Sequence, residues 1–72
     1  MAPRPMYRWV DPRGVAVAEV LQDVRLGLLG PRAVYIARVA GEQVEKERFA
    51  CAQRVIEEWL RKNRVRASPV PA

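Results

Sequence analysis

Cys51 has no second cysteine to pair with and the chain contains no histidine, so these 72 residues must fold without an internal disulfide or a conventional zinc staple. A domain of this size buries only about 60% of the surface its unfolded chain exposes, which leaves its stability marginal. Packing, or a second chain, has to supply the difference, and a homodimer is the expected form. Half of the residues are apolar and 29% are charged, a composition that folds and does not stay disordered. No signal-peptide pattern and no run of about 18 apolar residues occurs, so a cytoplasmic protein without a membrane partner is expected.

Four of the six prolines fall in Met1–Pro5 and Ala67–Ala72. Proline neither donates to a ladder nor continues a helix, so residues 1–5 and 67–72 read as flexible tails around one domain at 6–66. Within it, Phe49, Ala52, Ile56 and Leu60 recur at helical spacing, and Val55 and Trp59 widen the stripe. An amphipathic helix follows, ending near Asn63 with Arg61 and Lys62 in its last turn, where cations suit the helix dipole.

Upstream, Val34–Val39 and Val44–Phe49 read as a β-hairpin around a four-residue link, Ala40–Gln43. Placing Val39 opposite Val44 also sets Arg38 against Glu45, Tyr35 against Arg48 and Val34 against Phe49. The competing reading is one helix from Pro31 through Asn63. For Asp11–Gly30, Asp11-Pro12 makes a helix start, Gly30-Pro31 a stop, and Val17, Leu21, Val24 and Leu28 a 4-3-4 stripe between them. The same residues also spell a hairpin around a turn at Asp11–Gly14. The architecture expected is α+β: a helix from about Pro12 to Leu29, a central antiparallel β-hairpin from Ala33 to Phe49, and a C-terminal amphipathic helix, both helices covering one sheet face. The alternative is an all-α helical hairpin.

Thirteen Lys and Arg against eight Asp and Glu give a net charge of +5, and eleven of the thirteen cations are arginines. Arg61, Lys62, Arg64 and Arg66 cluster at the C-terminal boundary, and Arg8 and Arg13 punctuate the N-terminal segment. The guanidinium fork suits phosphates, so these six residues are the candidate nucleic-acid contacts of a small binding or regulatory protein. The alternative is a protein-interaction module, an inhibitor or assembly subunit, that binds through an apolar helix face or a sheet edge and for which the charge is incidental. Trp9, near the basic N-terminal segment, reads either as a lid over the core or as a binding anchor.

Catalytic chemistry has little to draw on. Glu57/Glu58 and Glu45/Glu47 have the spacing of solvated surface carboxylates, and no base accompanies a nucleophile. Cys51, among alanines, reads as a buried small-residue contact. No glycine pattern cradles a phosphate, and neither a cofactor nor a metal is expected. The stretch Val55–Val65, followed by Pro69, resembles the recognition-helix region of phage excisionases and their winged-helix relatives over about fifteen residues. It departs from that pattern where Glu57 and Glu58 would face phosphates and where a wing would have to follow, so the resemblance assigns no family.

Overall fold

In the computed structural model, which describes residues 2–72, Asp11 organises a turn and not a helix start. Its Oδ1 accepts the backbone N–H groups of Arg13 and Val15, both at 2.9 Å, and its carbonyl accepts that of Gly14 at 2.9 Å. Gly14, at φ 84°, supplies the left-handed conformation that closes the turn. The chain thereby folds β1 (Arg4–Val10) back against β2 (Ala16–Gly27). The helix expected from Pro12 to Leu29 is therefore a strand. Asp-Pro serves a turn as well as a helix start, and the 4-3-4 stripe hid a period of two in which Ala18 and Val20 point into the core with Glu19 between them. Leu28, the last member of the supposed stripe, is fully exposed in the turn that leads to β3 (Gly30–Val39). Gly30-Pro31 continues a hairpin where a helix stop was expected.

The central hairpin forms with a tighter turn than the four-residue link. Ala40 and Gly41 both take left-handed conformations, φ 54° and 78°, the requirement of a two-residue type I′ turn whose twist matches its flanking strands. β4 (Glu42–Lys46) consequently pairs Val39 with Glu42, Arg38 with Gln43, Ala37 with Val44, Ile36 with Glu45 and Tyr35 with Lys46. The expected pairs Val39–Val44, Arg38–Glu45, Tyr35–Arg48 and Val34–Phe49 do not form. The slip is two residues, so every side chain keeps its face. Phe49 opens the single helix, α1 (Phe49–Lys62), and the all-α alternative is not supported.

After α1 the chain returns to the far side of the sheet as β5 (Ser68–Pro71), giving a five-stranded antiparallel sheet in the order β4-β3-β2-β1-β5. Residues 4–5 and 68–71, assigned to tails by their prolines, thus belong to strands; Met1 lies outside the described residues. Pro69 and Pro71 pair with Trp9 and Tyr7, while Ala72 donates its N–H to the Met6 carbonyl at 3.0 Å. Strand alternation therefore puts the missing proline N–H groups on the outer side, where they block further strand addition.

α1 lies across one face of the sheet. Ala52, Ile56 and Leu60 meet Trp9 of β1, Ala18 and Val20 of β2 and Ala37 and Val39 of β3, all buried. Trp9, 1% exposed, is a core side chain, which settles it as lid and not anchor. Phe49 packs on Tyr7 and Tyr35, with ring centroids 5.4 and 6.0 Å away. Cys51 faces solvent, contrary to the expectation that it would be buried: the buried helical positions are 52, 56 and 60, and 51 falls outside that stripe. No described helix is long and apolar enough to cross a membrane.

Two outcomes follow from this packing. Ile56→Asp places an unpaired charge among apolar neighbours at a cost of several kcal/mol, comparable to the whole stability of a small domain, and circular dichroism should show an unfolded chain while Glu57→Ala and Glu58→Ala stay folded. Ala40→Asn places a residue that tolerates left-handed φ in the type I′ turn, and should stabilise by roughly 0.5–1 kcal/mol in a urea melt.

Candidate nucleic-acid interface

The strand directions gather most of the candidate cations at one end of the molecule. α1 begins beside Tyr35 and runs back toward the Trp9–Ala18–Val39 end, so its C-terminus arrives near the β1–β2 turn that carries Arg13. Arg61 and Lys62 occupy the exposed last turn of α1. Arg66 follows in the link to β5 and lines a cleft of about 240 Å³ with Asp11, Pro12 and Ser68. Five of the six candidates, Arg13, Arg61, Lys62, Arg64 and Arg66, therefore share this end. Arg8 does not: it lies on the sheet face opposite the helix, between Glu19 of β2 and Val70 of β5.

The helix ends in a way that fixes Arg64. Val65 donates its N–H to the Leu60 carbonyl at 2.9 Å and Arg64 donates to Arg61 at 3.3 Å, the paired bonds of a Schellman motif. Asn63 adds its side-chain amide to the Trp59 carbonyl at 2.9 Å. Half-buried Val65 packs against the core and anchors the turn. Arg64 occupies the position where glycine is usual, at φ 54°. Arg64, like Ala40 in the β3–β4 turn, holds this conformation at a conformational cost.

The electrostatics of this end differ from those of the sheet face away from the helix. Arg25 bridges Asp23 and Glu45, Arg32 bridges Glu47 at 3.0 Å, and Arg38 bridges Glu19 at 3.1 Å, all on the sheet face away from the helix. That face is charge-balanced, and its arginines screen Leu21, Val34 and Ile36, which are buried without help from the helix. The Arg25–Glu45 bridge crosses β3 at Val34, which is 1% exposed. At the other end, Arg61, Lys62, Arg64 and Arg66 make no ion pair among the described residues, and no acid occurs after Glu58. Arg13 reaches only Asp11, at 3.4 Å, with 85% of its side chain exposed. Arg61 shares a shallow cleft with Glu57 and Glu58, so part of its field is compensated.

Glu45 and Glu47 hold arginines, and Glu57 accepts a bond from Gln53 at 3.2 Å. Among the described residues no group of three or more His, Cys, Asp or Glu side chains converges on a metal-sized space. The sequence reading missed the apolar tip of the β2–β3 hairpin. Its signal is Gly27-Leu-Leu-Gly30, two residues between glycines, which lies at the end of the helix expected from Pro12 to Leu29.

The hydrogen bonds from Val15 and Arg13, with the Arg13 charge, hold the Asp11 carboxyl below the usual carboxylate range. A group depressed on folding contributes stability above its unfolded value, about 3.9, and loses it as pH falls through the folded value. Asp11→Ala should therefore lower Tm at neutral pH and flatten the acid limb of a Tm-against-pH curve below about pH 4. Arg64→Gly removes the left-handed strain and should stabilise by roughly 0.5–1 kcal/mol, raising Tm by a few degrees. No protein-family profile matches the sequence, and comparison with curated proteins and with solved structures returned no match.

Proposed function

We propose that this is a small nucleic-acid-binding protein that grips phosphates with the end formed by the α1 C-terminus, the link to β5 and the β1–β2 turn. One observation carries the reading: four cations within six residues, exposed and without ion pairs, converge on a fifth from another part of the chain. Arginine forks on a rigid turn are suited to phosphate oxygens, which position a protein on nucleic acid without reading its sequence. The strain accepted at Arg64 supports the same reading, since glycine would serve the turn better and the phosphate not at all. Arg8, on the other face, is a separate and weaker contact.

The competing reading is a protein-interaction module. The apolar face of α1 is spent on the core, and prolines block the β5 edge. The β4 edge pairs only with β3, and it is the strand edge such a partner, or the second copy of a homodimer, would use. Salt dependence separates the two readings, because phosphate binding releases counterions in proportion to the contacts made.

Deleting the C-terminal residues would remove β5, so the test uses substitutions. Changing Arg61, Lys62, Arg64 and Arg66 together to Gln should weaken binding to duplex DNA and flatten the slope of log K against log salt by about 3–4 units, at about 0.9 per contact. Arg64→Gly alone should weaken binding while raising Tm. An intact chain that binds neither DNA nor RNA at about 50 mM salt would favour the protein-interaction reading.

A further inference from the structure

The two edges of the sheet are finished differently. On β5, Pro69 and Pro71 lack the N–H groups that a further strand would need, whereas β4 contains neither proline nor glycine and pairs only with β3. The type I′ turn decides which groups β4 presents. Val39 and Glu42 flank a two-residue turn and so exchange both of their hydrogen bonds; alternation then directs the backbone of Glu42, Val44 and Lys46 toward β3 and that of Gln43 and Glu45 outward. The side chains divide in the same way. Val44 lies opposite the buried Ala37, so Glu42, Val44 and Lys46 stand on the helix face of the sheet, and Gln43 and Glu45 on the other. Val44 is half-buried, and Lys46, Cys51, Arg54, Val55 and Glu58 line a cleft of about 230 Å³ between this edge and α1.

A second copy adding to this edge about a two-fold axis must set outward-facing residues against outward-facing residues. Within β4 that leaves Gln43, Val44 or Glu45 on the axis. With Gln43 there, Glu42 of one copy meets Val44 of the other; with Glu45 there, two like charges meet. Val44 on the axis instead sets Glu42 of each copy opposite Lys46 of the other, and the two Val44 side chains opposite each other. Neither Glu42 nor Lys46 makes an ion pair among the described residues, so this register gives both charges a partner. On the other face, Gln43 and Glu45 of opposite copies form the hydrogen-bonded pairs. The Gln43 side-chain oxygen accepts from Arg38 at 2.6 Å, which leaves its amide N–H groups for the Glu45 carboxylate. We infer that the chain is a homodimer in which β4 pairs antiparallel with β4 of a second copy about a two-fold axis at Val44. The two sheets become one, with both helices on the same face, and the pairing adds apolar burial that a domain this small lacks. The β1–β2 turn and the link to β5 lie on the far side of the sheet, so the dimer leaves the proposed phosphate-binding end free and does not depend on it.

Sedimentation of the intact chain over a range of micromolar concentrations tests the pairing, with circular dichroism as the check on folding. A monomer–dimer equilibrium is expected. Gln43→Pro removes an N–H that points away from β3, so it should stay folded and sediment as a monomer. Lys46→Glu and Glu42→Lys each set like charges opposite one another at both ends of the pairing, and each should weaken dimerisation about tenfold. Combined in one chain, the two substitutions exchange the charges and should restore dimerisation, a result that decides the register independently of the proline variant. Val44→Cys in a Cys51→Ser background brings two thiols to a non-hydrogen-bonded pair with Cα atoms about 4.5 Å apart, within disulfide range, so mild oxidation should give a covalent dimer. An intact chain that is monomeric at every concentration would overturn the proposal. So would a dimer that Gln43→Pro leaves unchanged, which would place the interface elsewhere. A dimer that both single charge variants weaken and their combination fails to restore would overturn the register at Val44.

Discussion

The close approach of α1 to the sheet at Ala52, Ala37 and Ala18 is the contact on which everything else depends. The first two are wholly excluded from solvent and the third nearly so. Small side chains at the crossing let the helix backbone sit near the strands, so that Ile56 fills the space between them and Trp9 closes one side. With a single cysteine, and no metal-sized cluster of ligands among the described residues, this layer supplies most of their apolar burial. The Arg48 side chain makes no cap bond and no acid occupies the first turn of α1, so the helix is held by packing and not by its own termini. A larger residue at any of the three alanines would push the helix outward and expose the tryptophan.

That layer also fixes where the charges lie. Because β4 ends opposite Tyr35 and α1 starts beside it, the helix runs back toward Trp9, its basic C-terminus arrives beside the Asp11 turn, and the Schellman bonds to Leu60 and Arg61 hold Arg64 in place. The same geometry leaves the β2–β3 hairpin without a further strand neighbour past Gln22 and Tyr35, with Leu26, Leu28 and Leu29 exposed at its tip. The molecule therefore has two chemically different ends, basic at one and aliphatic at the other, on a body 42 Å long. The intervening sheet face is neutralised by its own ion pairs. Surface pairs of this kind add little stability, and their effect here is to shield Val34 and Ile36.

How legible this was depended on how local the signals were. The α1 stripe could be read because Ala52, Ile56 and Leu60 all face one partner, the sheet. The central hairpin was also legible, but its register depended on Ala40 taking a left-handed conformation, which alanine does not advertise. The Asp11–Gly30 segment misled because Asp-Pro and Gly-Pro punctuate both helices and hairpins, and aliphatic residues on a protruding strand keep no clean alternation. Pro69 and Pro71 concealed β5, since proline argues against a strand unless the strand is an edge. The basic cluster was visible as composition, whereas its convergence with Arg13 and its separation from Arg8 depend on topology. The Leu28–Leu29 tip could not be recognised as a surface until the β2–β3 hairpin was known to outrun its neighbours.

The most direct test of the proposed phosphate-binding end is to map backbone amide chemical shifts by NMR while titrating a duplex of about twelve base pairs. The account predicts changes at residues 13–14 and 62–66, with the amides of Ala37 and Ile56 at the helix–sheet contact unmoved. Changes centred on Glu42–Lys46, or none at saturating duplex, would contradict it.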